Sequence, residues 1–426
     1  MNLIKELEWR GMLQDIMPGT EEQLEKEATT GYIGFDPTSD SLHIGSLVPI
    51  LLLLHLQKAG HKPIALLGGA TGMIGDPSGK SDERNLLSEE QLLQNVQGIK
   101  RQLSKFLNFD AGGPLAPGIV NNYDWFKGIS FVEFLRDTGK HITVNYMMAK
   151  ESVKKRIEGD AGISYTEFAY QLMQGYDYYW LYKYQNCRLQ MGGSDQWGNI
   201  TTGTELIRRK AGGEAFGFTC PLIRKADGGK FGKTEKGNVW LDAEKTSPYQ
   251  FYQFWLNASD EDAEQWIKIF TFLGRQEIEN LVAEHRSNAA ERLLQKTLAR
   301  EVTTFVHGAE EYEKAVATTE KLFANQTAPA ESLSAEDLEG MEGVVKFDFS
   351  AEKIRAGIDV VSFLAEASIF PSKGEARKMV QQGGVSINRH KVTDVGTKVV
   401  EEMLLHGRYI LVQKGKKNYY LVSVRG

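Results

Sequence analysis

Two short segments of this sequence contain residue types that suit the binding of phosphate groups. The first consists of Gly34–Thr38, which reads Gly-Phe-Asp-Pro-Thr, and of His43–Ser46, which reads His-Ile-Gly-Ser. Ser46 stands where a helix would begin, and the free amide groups at a helix N-terminus bind phosphate. His43 and Thr38 can donate hydrogen bonds to the same anion. Taken alone, a histidine in this position is more typical of a packed turn.

The second segment, Lys230–Thr234, reads Lys-Phe-Gly-Lys-Thr. It places two cations and a hydroxyl group in a stretch that is rich in glycine and has little periodicity. Taken alone, such a segment is typical of a solvated loop.

The elements that must position the first segment follow an α/β pattern. Short buried strands are predicted at three places, each followed by a glycine-rich or polar turn: Thr30–Phe35, Pro63–Gly68 and Cys187–Met191. A buried helix is predicted over Ser46–Ala59, between the first two strands. Strands that alternate with helices form a mostly parallel sheet, which binds its ligands outside the carboxyl ends of the strands.

The remainder of the chain is predicted to add two further domains to this α/β domain over residues 1–220. Residues 221–246 are predicted to form a mobile loop and connection, and residues 247–325 have a helical pattern. Residues 326–350 contain a proline and several acidic residues and are predicted to be a linker. Residues 351–426 have the turn and strand signals of a small α+β module.

The composition excludes several classes of protein. Of the 426 residues, 25% are charged and 41% are hydrophobic, as is ordinary for a globular protein and not for a disordered or fibrous chain. The longest apolar run, Leu47–Leu56, is far shorter than the ~20 residues that span a bilayer. Two cysteines cannot build a disulfide framework or a four-thiolate zinc site. We therefore expect a cytoplasmic protein without a membrane association or a signal peptide.

The charge is distributed unevenly along the chain. The net charge is −6, yet residues 351–426 hold 13 Lys and Arg against 7 Asp and Glu, a net charge of +6. A basic module joined to an acidic body suggests that the module binds a polyanion. The alternative, that the asymmetry reflects solvated surface only, is equally compatible with charge alone.

Considered together, the two phosphate-suited segments resemble the signatures of class I aminoacyl-tRNA synthetases, His-x-Gly-His and Lys-Met-Ser-Lys-Ser. Their order and their separation of about 190 residues also agree. Five further segments resemble the bacterial-type tyrosyl-tRNA synthetase family, almost from end to end: Tyr32–Thr38, Gly68–Ser78, Asn121–Trp125, Val144–Met147 and Gly192–Asn199. The resemblance implies a Rossmann-like catalytic domain, an α-helical tRNA-binding domain and, over residues 351–426, a small RNA-binding domain of the type first known in a ribosomal protein.

The resemblance assigns five residues to a tyrosine pocket. Tyr170, Gln174 and Asp177 are spaced so that one helix face carries all three, although such a polar stripe is by itself more typical of a solvated face. The resemblance assigns Tyr170 and Gln174, together with Asp76, to the ammonium group of the substrate. It assigns Tyr32 and Asp177 to the phenolic hydroxyl group. Phenylalanine would leave such buried hydroxyl partners unpaired.

A second set of residues is assigned by the resemblance to ATP, which is a substrate. The nucleotide-binding residues are Gly34, Asp36, Gly45, Gly193, Asp195, Gln196 and Lys233. The residues expected to stabilise the pyrophosphate as it leaves are Thr38, His43, Lys80, Arg84, Lys230, Lys233 and Thr234. The attacking tyrosine carboxylate is already ionised, so catalysis needs positioning and electrostatic stabilisation and no general base. Mg²⁺ would arrive with ATP, and neither a dedicated protein metal site nor a tightly bound cofactor is expected.

Two positions depart from the family pattern. The family usually has a second histidine where this chain has Ser46, which cannot supply an imidazole. It often has a cysteine where this chain has Ile33, so a ribose contact at that position would be absent. The contribution of Ser46 to catalysis stays open.

Cations in two parts of the chain match the family's tRNA-binding positions. Arg208 and Arg209 match residues that the family uses for the acceptor stem, and the basic module contributes Lys373, Arg377, Lys378, Lys414, Lys416 and Lys417. Such cations recognise RNA shape and phosphates more than base identity. Any one of them, taken alone, is also compatible with a solvated surface charge.

The resemblance implies a homodimer that joins L-tyrosine to its tRNA in two steps, through an enzyme-held tyrosyl-adenylate. Two alternatives are kept. A tryptophanyl-tRNA synthetase would share the fold, but an indole has no hydroxyl group for Tyr32 and Asp177 to bind. A non-catalytic RNA-binding protein on a synthetase scaffold would not need the intact cations of Lys230–Thr234.

Overall fold

The structure is a computed structural model, and it describes residues 2–78, 87–159, 162–234, 237–323, 329–341, 344–415 and 418–425. Within these ranges, no helix is both long enough and apolar enough to cross a membrane. The chain divides into two compact units: residues 1–245 with 258–298, and residues 246–257 with 299–426.

The helices of the described ranges are short to medium in length. In chain order they are α1 (Leu3–Arg10), α2 (Thr20–Lys26), α3 (Leu47–Lys58), α4 (Thr71–Ile74), α5 (Glu89–Phe106), α6 (Tyr123–Phe126), α7 (Phe131–Asp137), α8 (Val144–Met148), α9 (Glu151–Ile157), α10 (Tyr165–Gln185), α11 (Trp197–Ala211), α12 (Pro248–Leu256), α13 (Asp260–Phe270), α14 (Arg275–Ser287), α15 (Leu293–His307), α16 (Ala309–Phe323), α17 (Ala335–Glu339), α18 (Ala351–Arg355), α19 (Val360–Glu366) and α20 (Lys373–Gln381).

The strands form two larger sheets and two short pairs. In chain order they are β1 (Thr30–Phe35), β2 (Lys62–Leu67), β3 (Gly118–Asn121), β4 (Cys187–Gly193), β5 (Phe216–Cys220), β6 (Lys233–Thr234), β7 (Gly237–Asn238), β8 (Val345–Ser350), β9 (Ile358–Asp359), β10 (Val385–Ile387), β11 (His390–Val392), β12 (Lys398–Val399), β13 (Tyr409–Lys414) and β14 (Asn418–Arg425).

The first unit is built around a five-stranded sheet in the order β3-β2-β1-β4-β5, in which every pairing is parallel. Its central strands are buried, because helices cover a parallel sheet on both faces. The predicted parallel α/β sheet is confirmed, and β1 has the predicted bounds. The sequence analysis did not identify β3 and β5. Both are short, and β3 has only four residues, which is too few for a periodic pattern.

Helix α3 packs its apolar residues into the core of this unit, and it buries one histidine there. His55 is 2% exposed, and neither of its ring nitrogens has a hydrogen-bond partner among the described residues. Its ring packs against Phe272 at a centroid distance of 5.1 Å. Burial lowers the pKa of His55 to about 3, and the nearby charges of Arg10 and Lys58 act in the same direction. The folded protein therefore holds this histidine in its neutral form.

We expect the replacement His55→Leu to reduce the acid sensitivity of the fold. In the unfolded chain His55 binds a proton below its ordinary pKa of about 6.5, whereas the folded state resists that proton down to about pH 3. Its contribution to stability is therefore fully present above pH 6.5 and is lost as the pH falls through this window. Between pH 7.5 and pH 5 the loss amounts to about 2 kcal/mol. Urea unfolding at the two pH values measures it.

The exposed His390 offers a matched control, because His390→Leu removes a histidine from the surface of β11. The control should keep the wild-type difference between the two pH values. An unchanged difference in His55→Leu would contradict the assignment to His55.

The second unit contains a five-stranded mixed sheet in the order β11-β10-β13-β14-β8. Its pairings are antiparallel, except that β8 joins β14 in parallel. Strand β8 lies within residues 326–350, which the sequence analysis predicts to be a linker. The difference has a physical reason: Phe347 and Phe349 alternate with charged residues, and this period of two lets one face of the strand pack against the core that contains Phe363.

Candidate active site

Polar side chains that follow β1, β2 and β4 meet at the carboxyl edge of the parallel sheet. Asp36 follows β1 directly and is the centre of this group. It accepts a hydrogen bond from the Tyr170 hydroxyl group at 2.9 Å and another from the Thr71 hydroxyl group at 2.9 Å. A Cβ atom at Gly68 would lie 2.2 Å from Asp36 Oδ1, so only glycine leaves room for this arrangement. Asp36 was predicted on the nucleotide side and Tyr170 on the tyrosine side, so the two halves of the predicted site adjoin here.

The three residues predicted for the substrate ammonium group belong to two hydrogen-bonded groups: Tyr170 to one, and Asp76 and Gln174 to the other. Besides the Tyr170 bond to Asp36, Gln196 Nε2 donates to Asp76 Oδ2 at 2.7 Å. Asn199 Nδ2 lies 3.0 Å from Gln174 Oε1 and 3.2 Å from Gln196 Oε1. Helix α10, the start of α11 and the segment that follows α4 thus supply hydroxyl, amide and carboxylate groups to this part of the site. Oxygen atoms of this kind are suitable acceptors for an ammonium group.

The other end of the predicted tyrosine pocket contains Asp177, which is 2% exposed. Its Oδ1 accepts from Trp125 Nε1 at 2.9 Å, and its Oδ2 accepts from Asn122 Nδ2 at 3.1 Å. Trp125 is in turn stacked on Trp180, with ring centroids 4.2 Å apart. Two donors and a stacked ring therefore hold the carboxyl group of Asp177 in one orientation.

Tyr32 faces the same interior from β1. Its side chain is 1% exposed, and its hydroxyl oxygen has no hydrogen-bond partner within the described residues. Burial raises the pKa of the Tyr32 phenol well above its ordinary value, and the charge of Asp177 acts in the same direction. A buried hydroxyl group without a partner is costly, because it has given up its hydrogen bonds to water. A ligand hydroxyl group would remove that cost.

Burial dominates the electrostatics of this pocket. It raises the pKa of Asp177 to about 8, although the hydrogen bonds from Asn122 and Trp125 act in the opposite direction. It also raises the pKa of Tyr170 well above the ordinary value, with further contributions from Asp36 and Asp76. The pocket thus combines a desolvated interior with several fixed polar groups, which is typical of a selective small-molecule site.

The sequence analysis assigned no role to four residues of these two groups: Thr71, Asn122, Trp125 and Asn199. Asn122 Nδ2 donates to both Asp177 and Thr71, and Asn122 Oδ1 accepts from the backbone of Ala70 at 2.7 Å. Together with the Thr71 bond to Asp36, these contacts connect the Asp177 end of the pocket to the Asp36 end. Asn122 and Trp125 belong to the segment Asn121–Trp125, which the sequence analysis noted for its family resemblance. Because β3 was not predicted, this segment was not placed at the carboxyl edge of the sheet.

Several of the residues predicted to bind ATP follow β1 and β4, the strands after which Asp36 and Gln196 lie. His43 is exposed, and its Nδ1 accepts a hydrogen bond from the Gly45 backbone at 3.0 Å. Ser46 precedes α3 as predicted, but its side chain makes no capping hydrogen bond. Thr38, which follows β1, is exposed, and so is Gly34 within that strand. After β4, a Cβ atom at Gly193 would lie 2.6 Å from Asp195 Oδ1.

The Lys230–Thr234 segment is connected by its backbone to the His43–Ser46 segment. Val239 N donates to Gly232 O at 2.9 Å, and Ile44 N donates to Val239 O at 2.9 Å. Lys230 is exposed, and the structure describes Lys233 and Thr234 by their backbone in β6. Lys80 and Arg84 lie outside the described residues. The mobility of residues 221–246 stays a prediction.

The predicted tRNA-binding cations lie in both units. Arg208 and Arg209 are in the last turn of α11, where each forms an ion pair with Glu205. Lys373, Arg377 and Lys378 are exposed on α20, and Lys414 Nζ lies 4.5 Å from the centroid of the Phe370 ring. Lys416 and Lys417 lie outside the described residues. In the part of the chain that the structure describes, no group of three His, Cys, Asp or Glu residues could hold a metal ion.

Comparison with known proteins decides the family. Residues 24–324 match the model of the class I tRNA synthetases for tryptophan and tyrosine (W and Y), and residues 338–422 match that of the tyrosine–tRNA ligase SYY-like C-terminal domain. The tyrosine–tRNA ligase of Parabacteroides distasonis is 61% identical over 430 residues, which cover 100% of both chains. The chain belongs to the tyrosine–tRNA ligase family of class I tRNA synthetases.

Two further tyrosine enzymes resemble this chain in sequence, and a tryptophan enzyme resembles it in fold. The tyrosine–tRNA ligase of Porphyromonas gingivalis is 60% identical over the full length of both chains. A C-terminally truncated mitochondrial tyrosyl-tRNA synthetase of Aspergillus nidulans is 29% identical, covers 76% of this chain and 94% of its own, and superposes with a TM-score of 0.68. The tryptophanyl-tRNA synthetase of Plasmodium falciparum shares the fold with a TM-score of 0.53 at 12% identity over 79% of this chain and 87% of its own. The family expected from the sequence segments is thereby confirmed.

Proposed function

We propose that this protein is a tyrosine–tRNA ligase that activates L-tyrosine with ATP and transfers it to the 3′ end of its tRNA. The observation that carries this proposal is the buried pair of Tyr32 and Asp177. One presents a hydroxyl group without a partner among the described residues, and the other a carboxyl group held by two donors. A phenol can donate to Asp177 and accept from Tyr32, so it pairs both groups.

In the first step, a carboxylate oxygen of tyrosine attacks the α-phosphorus of ATP. A new P–O bond forms, the bond to the bridging oxygen breaks, and pyrophosphate leaves with the electron pair. Asp76, Tyr170 and Gln174 bind the ammonium group of tyrosine and hold its carboxylate in line. Because both reactants are anionic, the reaction depends on fixed positive groups around the phosphates and on positioning.

The phosphates are assigned to Thr38, His43, Lys80, Arg84, Lys230, Lys233 and Thr234, and the adenosine part to Gly34, Asp36, Gly45, Gly193, Asp195 and Gln196. Mg²⁺ is proposed to enter bound to ATP, since ATP carries its own metal ligands in its phosphates. In the second step the terminal ribose hydroxyl group of the tRNA attacks the tyrosyl carbonyl carbon, and AMP leaves. A cytoplasmic location, where tRNA and ATP are available, accords with this activity.

Exchange of pyrophosphate into ATP tests the proposal against both alternatives. Exchange that requires tyrosine and is not supported by tryptophan would support it. Exchange with tryptophan alone would identify a tryptophan enzyme, for which the polar pair Tyr32 and Asp177 has no use. Absence of exchange with either amino acid would indicate an RNA-binding protein without catalytic activity.

We infer that the exposed cations of α20 bind the tRNA by its phosphates. Replacing Lys373, Arg377 and Lys378 by alanine should leave tyrosine-dependent pyrophosphate exchange within about two-fold of wild type. The same variant should raise the KM for tRNA by about ten-fold or more and lower the salt dependence of tRNA binding, because each lost phosphate contact removes about one unit from its slope.

The replacement Arg425→Ala is a matched control, because Arg425 is a cation of the same module that pairs with Asp348 at 3.1 Å. It should change neither the rate of pyrophosphate exchange nor the KM for tRNA by more than about two-fold. Deletion of residues 344–426, which starts ahead of β8, should abolish tRNA charging and preserve exchange. If pyrophosphate exchange and tRNA charging fell by the same factor, the proposed separation of the adenylate-forming site from residues 344–426 would be contradicted.

We also propose that the protein is a homodimer. Among the residues of the segment 131–165, several large apolar side chains are strongly exposed: Phe131 (64%), Val132 (71%), Val144 (58%) and Tyr165 (63%). Monomeric proteins rarely expose such groups together, so a second copy of the chain is proposed to cover them. This segment leads into α10, which carries the predicted tyrosine-binding face, so dimerisation and catalysis would be connected.

The replacement Val132→Asp should therefore shift the protein from dimer to monomer in analytical ultracentrifugation at micromolar concentration. Burying an unpaired carboxylate at an interface costs several kcal/mol. Leu93→Asp introduces the same charge at an exposed leucine of α5, and it should leave the mass unchanged. A monomeric wild-type protein would refute the proposed dimer.

A further inference from the structure

The phenylalanine of the Lys230–Thr234 segment is packed against helix α13. Phe231 is stacked on Phe270 with ring centroids 5.2 Å apart and an interplanar angle of 15°. It also meets Trp266 edge to face at 5.0 Å. Trp266 and Phe270 are 1% and 2% exposed, so this aromatic surface belongs to the core of the unit. An aromatic side chain between two cations of the segment is therefore attached to a rigid support.

The next residue extends this attachment to the other phosphate-binding segment. Gly232 has a φ of +77°, and a Cβ atom there would lie 3.0 Å from Ile44 Cγ1. The glycine thus allows close contact with the His43–Ser46 segment, to which Val239 already connects it through backbone hydrogen bonds. The segment is held on one side by an aromatic contact and on the other by the backbone.

The support itself is fixed by the N-terminal helix. Arg10 of α1 is 3% exposed, and its guanidinium group donates to three backbone oxygens at the carboxyl end of α13: Lys268 at 2.6 Å, Thr271 at 2.8 Å and Leu273 at 2.9 Å. A helix leaves its last four carbonyl groups without partners of its own, and a cation at a helix C-terminus also interacts favourably with the helix dipole. Arg10 lies ahead of residue 24, at which the match to the synthetase family model begins.

We propose that Phe231 is a positioning residue that holds Lys230 and Lys233 beside the phosphates by packing on Trp266 and Phe270. The inference rests on the proposed function, because it assigns the cations to the leaving pyrophosphate. The surrounding chain contains Gly228, Gly229, Gly232 and Gly237, so without an anchor it can adopt many conformations. A cation that spends little time near the phosphates stabilises the transition state correspondingly less.

The replacement Phe231→Ala tests the proposal by pre-steady-state kinetics. The maximal rate of adenylate formation should fall about 10- to 100-fold. The dissociation constant for tyrosine should stay within about two-fold, because the tyrosine pocket does not contain Phe231. The melting temperature should change little. Phe231→Met, which keeps a long apolar side chain, should restore most of the rate.

Two further variants separate positioning from general damage. In the Phe231→Ala background, Lys233→Ala should cost much less than in wild type, because a cation that is no longer held in place contributes little. Phe272→Ala is a matched control: Phe272 follows α13 and packs on His55 and Lys58 of α3, so it lies next to the support without belonging to it. This control should keep the wild-type rate of adenylate formation.

The outcomes distinguish this inference from the proposed function. A wild-type protein without tyrosine-dependent exchange would refute the function itself. An active wild type with an unchanged rate in Phe231→Ala would refute the positioning role alone. Strict additivity of Phe231→Ala and Lys233→Ala would also refute it, as would an equal loss of rate in Phe272→Ala.

Discussion

The replacement Asp177→Ala should lower kcat/KM for activation of tyrosine by about 100-fold or more and leave the weak activity with phenylalanine nearly unchanged. The variant loses the acceptor for the substrate phenol, and it also leaves the donors of Asn122 and Trp125 unpaired. An unpaired buried group costs about 1–3 kcal/mol, and the lost hydrogen bond to the substrate phenol adds about 0.5–1.5 kcal/mol. Phenylalanine has no hydroxyl group that could lose a hydrogen bond. The ratio of kcat/KM for tyrosine to kcat/KM for phenylalanine should therefore fall.

Pyrophosphate exchange with tyrosine and with phenylalanine measures kcat/KM for each amino acid. The variant Tyr32→Phe is a matched control, because it removes one hydroxyl group from the same pocket and leaves the Asn122 and Trp125 contacts in place. It should reduce the preference for tyrosine by a smaller factor than Asp177→Ala does. A preference that stays at the wild-type value in Asp177→Ala would contradict the assignment of the phenol site.

The replacement Lys233→Ala should lower the rate of adenylate formation and leave ATP binding within a few-fold of wild type. The cations of the segment are assigned to the charge that develops on the leaving pyrophosphate, so they would act mainly on the transition state. The loss of one such contact typically costs about 3 kcal/mol, which corresponds to a rate reduction of ~100-fold or more.

Pre-steady-state measurement of adenylate formation over a range of ATP concentrations separates the rate constant from the dissociation constant. Lys245→Ala is a suitable control, because Lys245 is a nearby cation that forms an ion pair with Asp40. It should affect neither parameter strongly. Weaker ATP binding with an unchanged forward rate would show that Lys233 acts on bound ATP and not on the transition state.

Local sequence patterns were sufficient for three of the five strands of the parallel sheet, β1, β2 and β4, and for helix α3. The bounds of β1 agree with the prediction, and α3 differs from it by one residue at each end. The same holds for the face shared by Tyr170, Gln174 and Asp177, since all three lie on α10. These features depend on the period of a strand or a helix, which short stretches of sequence determine. The family segments added the roles of individual residues, which no periodicity carries.

The contacts between distant segments were decided by the tertiary structure alone. Tyr170 meets Asp36 across 134 positions of sequence, and Asn122 meets Asp177 across 55. The same is true of Phe231 on α13 and of Arg10 at its carboxyl end. The place of β8 in a sheet also became evident only from its parallel pairing with β14. Such contacts depend on where parallel strands and their covering helices bring separate segments together, and hydrogen bonding and packing at those meeting points are not encoded in the pattern of any one segment.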